Sequence, residues 1–148
     1  MSTLYDKVSI SGFAIENIDI SGIEEVISHL PKSGIVDPNI AEKGLLYTLE
    51  GQNLCQEKIV QVDRWIGQLE SSKNKAWSQA ALVRAKEAGY KTVKDKEWFA
   101  QSDDDYINSC NELVLAKACK NWLENKAGYF LAWHYALKTF LRRDYTIE

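Results

Sequence analysis

Proline is the residue that most limits this chain, because it occurs only at positions 31 and 38 and never again to residue 148. Proline removes a backbone N–H and clashes with the preceding turn, so its absence over so long a stretch leaves helix unobstructed. Asp37-Pro38 is also a start signal: the aspartate can cap, and proline fits the first helical position, whose N–H has no partner in any case. A mainly α protein is therefore expected. With 148 residues, 45% of them hydrophobic, it has the size of one domain able to bury a core.

The spacing predicts a first long helix from Asp37 to about Ala88. Ile59, Val62, Ile66 and Leu69 form a narrow coiled-coil seam with Trp65 beside it, continued by Trp77, Ala80, Ala81, Val83 and Ala85. Gly44 and Gly51 are its candidate breaks, since glycine costs about 1 kcal/mol relative to alanine inside a helix. Ser102 with Asp105 reads as the cap of a second long helix, with Asp103 and Asp104 at the positive end of its dipole. Ile107, Val114, Ala118, Trp122, Trp133, Leu137 and Phe140 then supply its stripe, to about Arg142, with Gly128 its weak point. Two such helices, each about 60 Å long, joined by the short stretch "GYKTVKDKEWFAQSDDDY", make a long antiparallel hairpin over residues 37–148.

Residues 1–36 form an N-terminal segment. Val8 and Ile10, then Ile18 and Ile20, alternate as short strands would. Ser21 and Glu24 make a capping box for a short helix with Ile23, Val26, Ile27 and Leu30 on one face, ended by Pro31 and Gly34. So small a segment must pack on the helices or on another subunit. Trp65, Leu82, Leu115, Leu123, Tyr129, Phe130, Tyr135 and Leu141 lie off the main seams, which points to a homo-oligomer burying them between copies.

No chemistry announces itself. There is no G-x-G-x-x-G or G-K-[ST] phosphate loop, and His29 and His134 stand in different regions without a nucleophile motif. Three successive helix positions send Asp103, Asp104 and Asp105 in different directions, so capping fits them better than metal binding. No cofactor and no enzymatic activity are expected. Cys55, Cys110 and Cys119 have no C-x-x-C spacing and read as reduced thiols of a cytosolic protein. The first residues lack a basic start and a signal-like apolar run, and no membrane contact is expected.

Charge is the remaining signal. The net charge is −3, yet residues 1–70 hold five basic and eleven acidic side chains, and residues 71–148 hold thirteen and ten. Lys73, Lys75, Arg84, Lys86, Lys91, Lys94 and Lys96 crowd one strip facing only Glu87 and Asp95. Its end adjoins Tyr90, Trp98 and Phe99, and single-strand binders combine cations with rings on which bases stack. Trp98 and Phe99 either offer such a surface or plug the turn of the hairpin. Lys138, Arg142 and Arg143 form a second basic group, which an antiparallel hairpin places far from Lys94.

Three segments carry a resemblance: "KNKAWSQAALVRAKEAGYKTV", "AQSDDDYINSCNELVLAKACKNWLENK" and "ALKTFLRRDY". Over roughly residues 45 to 143 the chain resembles the UvsY-like recombination mediators of tailed phages. The resemblance implies an oligomeric ring that binds single-stranded DNA, displaces single-strand-binding protein and loads a RecA-type recombinase in the host cytoplasm. It also implies that Lys73, Lys75, Arg84, Lys86, Lys91, Lys94 and Lys96 contact its phosphates; Trp98 is the candidate stacking ring beside them. The net negative charge suits a different class as well, a phage-encoded inhibitor or assembly factor that engages a protein through aromatic and acidic surfaces.

Overall fold

The computed structural model describes residues 18–32 and 37–146, with side chains to residue 143. Helix α1 spans Ser21–His29 and α2 spans Pro38–Gln79. A π-helical turn, Ala80–Arg84, and one further α turn, Ala85–Glu87, prolong α2. Helix α3 spans Val93–Gln101 and α4 spans Asp104–Thr146. No strand forms among the described residues. Ile18 and Ile20 are instead buried in the core, while Val8 and Ile10 lie outside the described residues. No helix among the described residues is long and apolar enough to cross a membrane.

Asp37 starts α2 as its sequence suggests, accepting a hydrogen bond from the Ile40 amide at 2.9 Å with Pro38 in the first turn. Gly44 and Gly51 do not break it. They face α4 at its closest approach, where a Cβ on Gly44 would lie 2.7 Å from Leu137 Cδ1 and one on Gly51 2.5 Å from Phe130 Cζ. Glycine here trades helix propensity for room to seat two bulky side chains.

The buried residues of α2 follow a heptad, Ala41, Gly44, Thr48, Gly51, Cys55, then Val62, Trp65 and Leu69. Trp65 therefore belongs to the seam. On α4 the buried residues are Leu113, Leu115, Ala116, Cys119, Leu123, Phe130 and Leu137. Of the expected stripe Leu137 is buried, whereas Ile107 and Val114 are exposed, and Ala118, Trp122, Trp133 and Phe140 are half-buried beside the seam. Leu115, Leu123 and Phe130 are wholly buried within the monomer and leave nothing for a second copy.

Antiparallel pairing is visible contact by contact: Gly44 meets Leu137, Thr48 meets His134 and Gly51 meets Phe130, and Asp63 pairs with Lys120 at 2.8 Å. Thr48 is completely buried and donates its hydroxyl to the Leu45 carbonyl at 2.8 Å. Its oxygen then accepts from His134 Nδ1 at 3.0 Å, which sets the imidazole proton on that nitrogen.

The N-terminal segment packs on the hairpin, with Ile18, Ile20, Ile23, Val26 and Leu30 in one core with Cys55, Val62 and Trp65. Each such side chain contributes up to about 1.5–3 kcal/mol. His29 stacks on Tyr47, ring centroids 4.9 Å apart. Ser21 is not the cap expected of it but the first helical residue after Ile20, and its amide donates to the Asp19 carboxylate at 2.9 Å. That bond holds Asp19 below the usual carboxylate range.

Cys55 and Cys119 lie in the core, and burial pushes each thiol up to about 11. At pH 8 such a thiol is about one part in a thousand thiolate, the reactive form. Brief alkylation of the native protein at pH 8 should therefore label the half-buried Cys110 and spare the other two, as read by peptide mass mapping. Because both folded values exceed the ordinary one, their contribution to stability is intact at neutral pH and declines between about 9 and 11.

Candidate nucleic-acid interface

The far end of the hairpin is a built structure rather than a simple turn. The Gly89 amide donates to the Lys86 carbonyl at 3.1 Å and the Tyr90 amide to the Ala85 carbonyl at 3.0 Å, while Gly89 has φ +92°. This is the Schellman arrangement, and its left-handed residue favours glycine. Thr92 then caps α3, accepting from the Asp95 amide at 3.1 Å. Thr92-x-x-Asp95 is a capping signature, so this nine-residue helix had a sequence signal that a hinge reading passes over.

Ser102 closes α3 rather than opening α4. Its hydroxyl donates to the Trp98 and Phe99 carbonyls at 3.2 and 3.0 Å. The cap of α4 is Asp103, whose carboxylate accepts from the Tyr106 amide at 3.1 Å. Asp104 and Asp105 occupy the first turn, where the helix dipole favours negative charge.

Arg84, at the end of the π turn, reaches across to this cap. Its guanidinium lies 2.9 Å from Asp103 Oδ1 and donates to Asp105 Oδ2 at 3.2 Å. A π turn adds one residue to the helical circuit, and here it ends on the arginine that ties α2 to α4. Arg84 is thus engaged within the chain and less available to a phosphate than its neighbours.

The two rings in question separate. Phe99 packs against Ala80, Ala81 and Ala100 beside Trp77, and its ring lies 5.3 Å from that of Tyr90, so it plugs the tip. Trp98 is 63% exposed, with the Lys94 ammonium 5.5 Å from its ring centroid. Tyr90, Asp95, Trp98, Phe99 and Ser102 border a shallow depression of about 300 Å³.

No family model, curated protein or solved structure matches this chain. The chemistry of the tip therefore rests on its own geometry. Lys86, Lys91 and Lys94 are exposed, Lys94 alone lying over the Trp98 ring, and Lys96 is half-buried beside Trp77, Leu82 and Val93. Lys73 and Lys75 sit roughly 20 Å down the shaft, and two residues apart on a helix they point to different sides. The strip read from sequence is thus a cluster at the tip and two outlying lysines. Between positions 84 and 105, six acidic side chains accompany five basic ones. A local arrangement of ring and lysines, rather than a broad positive field, is what the tip offers. Lys138, Arg142 and Arg143 lie on the last part of α4, at the opposite end, where Leu137 meets Gly44.

Proposed function

We propose that the protein is a non-catalytic binder of single-stranded DNA that holds the strand at the hairpin tip. In this reading it works as an oligomeric mediator that displaces single-strand-binding protein and helps load a RecA-type recombinase. The observation that carries the proposal is the exposed Trp98 with the Lys94 ammonium over its ring, on a helix capped by Thr92, with Lys86 and Lys91 exposed at the same end of the hairpin. A large exposed indole costs solubility and gives the fold nothing, since Phe99 already fills the tip. A base can stack on it while the lysines meet adjacent phosphates. The resemblance to recombination mediators supplies the wider role.

The test is titration with a fluorescent single-stranded oligonucleotide over a salt series. Three or four phosphate contacts give a slope of log K against log salt of about −2 to −3 on single strands. Trp98 fluorescence should be quenched in step. No binding at low salt would end the DNA reading and leave protein recognition, through the apolar cleft of Leu82 and Val93 beside the tip, as the function.

A further inference from the structure

α2 carries a second heptad that the hairpin does not use. Leu46, Leu49, Asn53, Gln56 and Val60 recur at steps of three and four and are all exposed, with Leu46 69% and Val60 53% accessible. This line faces away from α1, which covers the side of Tyr47 and Leu54. A coiled-coil line of this length on a helix already paired through its other face asks for another helix.

The sequence along that line says which helix. Leu46 and Val60 each lie seven residues from Asn53, so a two-fold axis through Asn53 sets Leu46 against Val60 of a second copy, twice. The same axis brings Glu42 opposite Arg64 twice, so opposite charges meet at both ends of the contact. An asparagine at the centre of such a seam pairs with its own mate and fixes register. Beside it, the Gln52 side-chain nitrogen is buried without a hydrogen-bond partner, in a groove that Asn53, Gln56, Gly128 and Leu131 also line. A Cβ on Gly128 would meet nothing, so the groove has room for an approaching side chain.

We propose that two copies of the chain pair antiparallel through this face, α2 against α2, about an axis at Asn53. The contact is independent of the DNA reading. It sets the two tips about 100 Å apart, since each lies 34 residues from the axis at 1.5 Å per residue.

Cysteine placed on the axis tests the geometry. In a Cys110→Ser background, Asn53→Cys puts two thiols within disulfide reach across the interface. A mild disulfide oxidant takes up the two hydrogens, giving a reducible dimer in high yield. Lys75→Cys, exposed but off the face, should cross-link no more than the background. Leu46→Glu places a carboxylate in the seam twice and should weaken self-association by roughly a hundredfold or more, seen by sedimentation, with helical content unchanged because Leu46 is exposed in the monomer. Glu42→Arg should weaken it too, and adding Arg64→Glu should restore it. A monomeric mass at high protein concentration overturns the proposal. So does an oligomer that survives Leu46→Glu, or one in which residues 53 and 75 cross-link alike.

Discussion

Replacing Phe130 with alanine should cost about 3–5 kcal/mol of folding free energy, the largest single loss expected in this protein. The ring is fully buried, and its Cζ, Cε1 and Cδ1 atoms lie 2.5–2.7 Å from where a Cβ on Gly51 would stand. Removing it leaves a void against bare helix backbone that neighbouring side chains cannot close. The same geometry makes the sign of Gly51→Ala depend on residue 130. In the wild type the new methyl must displace the ring, an overpacking cost of about 1–3 kcal/mol that offsets the gain of about 1 kcal/mol in helix propensity. In Phe130→Ala it should stabilise, by filling space and by propensity together. Urea denaturation of the four proteins gives the coupling directly. Gly67→Ala is the control, since nothing lies within 4 Å of its Cβ position, and it should stabilise by about 1 kcal/mol. If Gly51→Ala stabilises the wild type as much as it does Phe130→Ala, the close approach of α2 and α4 is wrong.

The second large effect concerns DNA. Trp98→Ala should weaken single-strand binding by about 1–3 kcal/mol, roughly fivefold to more than a hundredfold, with the melting temperature nearly unchanged because the indole is exposed. Trp98→Phe should retain most of the affinity, since it keeps a face on which a base can stack. Phe99→Ala should behave in the opposite way, lowering stability first, because Phe99 fills the tip. Joint reversal of Lys91, Lys94 and Lys96 to glutamate should abolish binding and remove the salt dependence. Affinity that is indifferent to Trp98 but lost with Lys138, Arg142 and Arg143 would move the contact to the other end of the hairpin.

What could be read in the sequence was whatever local chemistry fixes. Asp37-Pro38 and the proline-free run after it determine the start and length of α2, and the antiparallel return follows from a short connector. The expected α4 stripe coincides with the buried line at Leu137 but runs one position early at Val114, Ala118 and Trp122, because that helix is apolar on more than one side and only the partner helix decides between neighbours such as Val114 and Leu115. Gly44 and Gly51 looked like breaks because propensity is a local quantity, whereas their purpose is set by Leu137 and Phe130, more than seventy residues away. Ser102 was misassigned for a similar reason: adjacent serine and aspartate both make caps, and the helix before them, begun at Thr92, takes the serine. At the tip, sequence placed the lysines and rings together but could not tell that Phe99 turns inward and Trp98 outward, which is a matter of helical phase on α3.

The inward ring, Phe99, is received by Ala80 and Ala81 of the π turn at Ala80–Arg84. Each residue of an α-helix advances the azimuth by about 100°, so one residue added to or taken from this turn would rotate everything beyond it by that amount. The seam of α2 with α4 before Ala80 would keep its register, while Arg84 would leave its place opposite Asp103 and Asp105. The direction in which the tip presents Trp98 is therefore set by this turn and its Arg84 tie, apart from the seam of the stem. A single-residue change of length in one turn can re-aim the head of this molecule without rebuilding its stem.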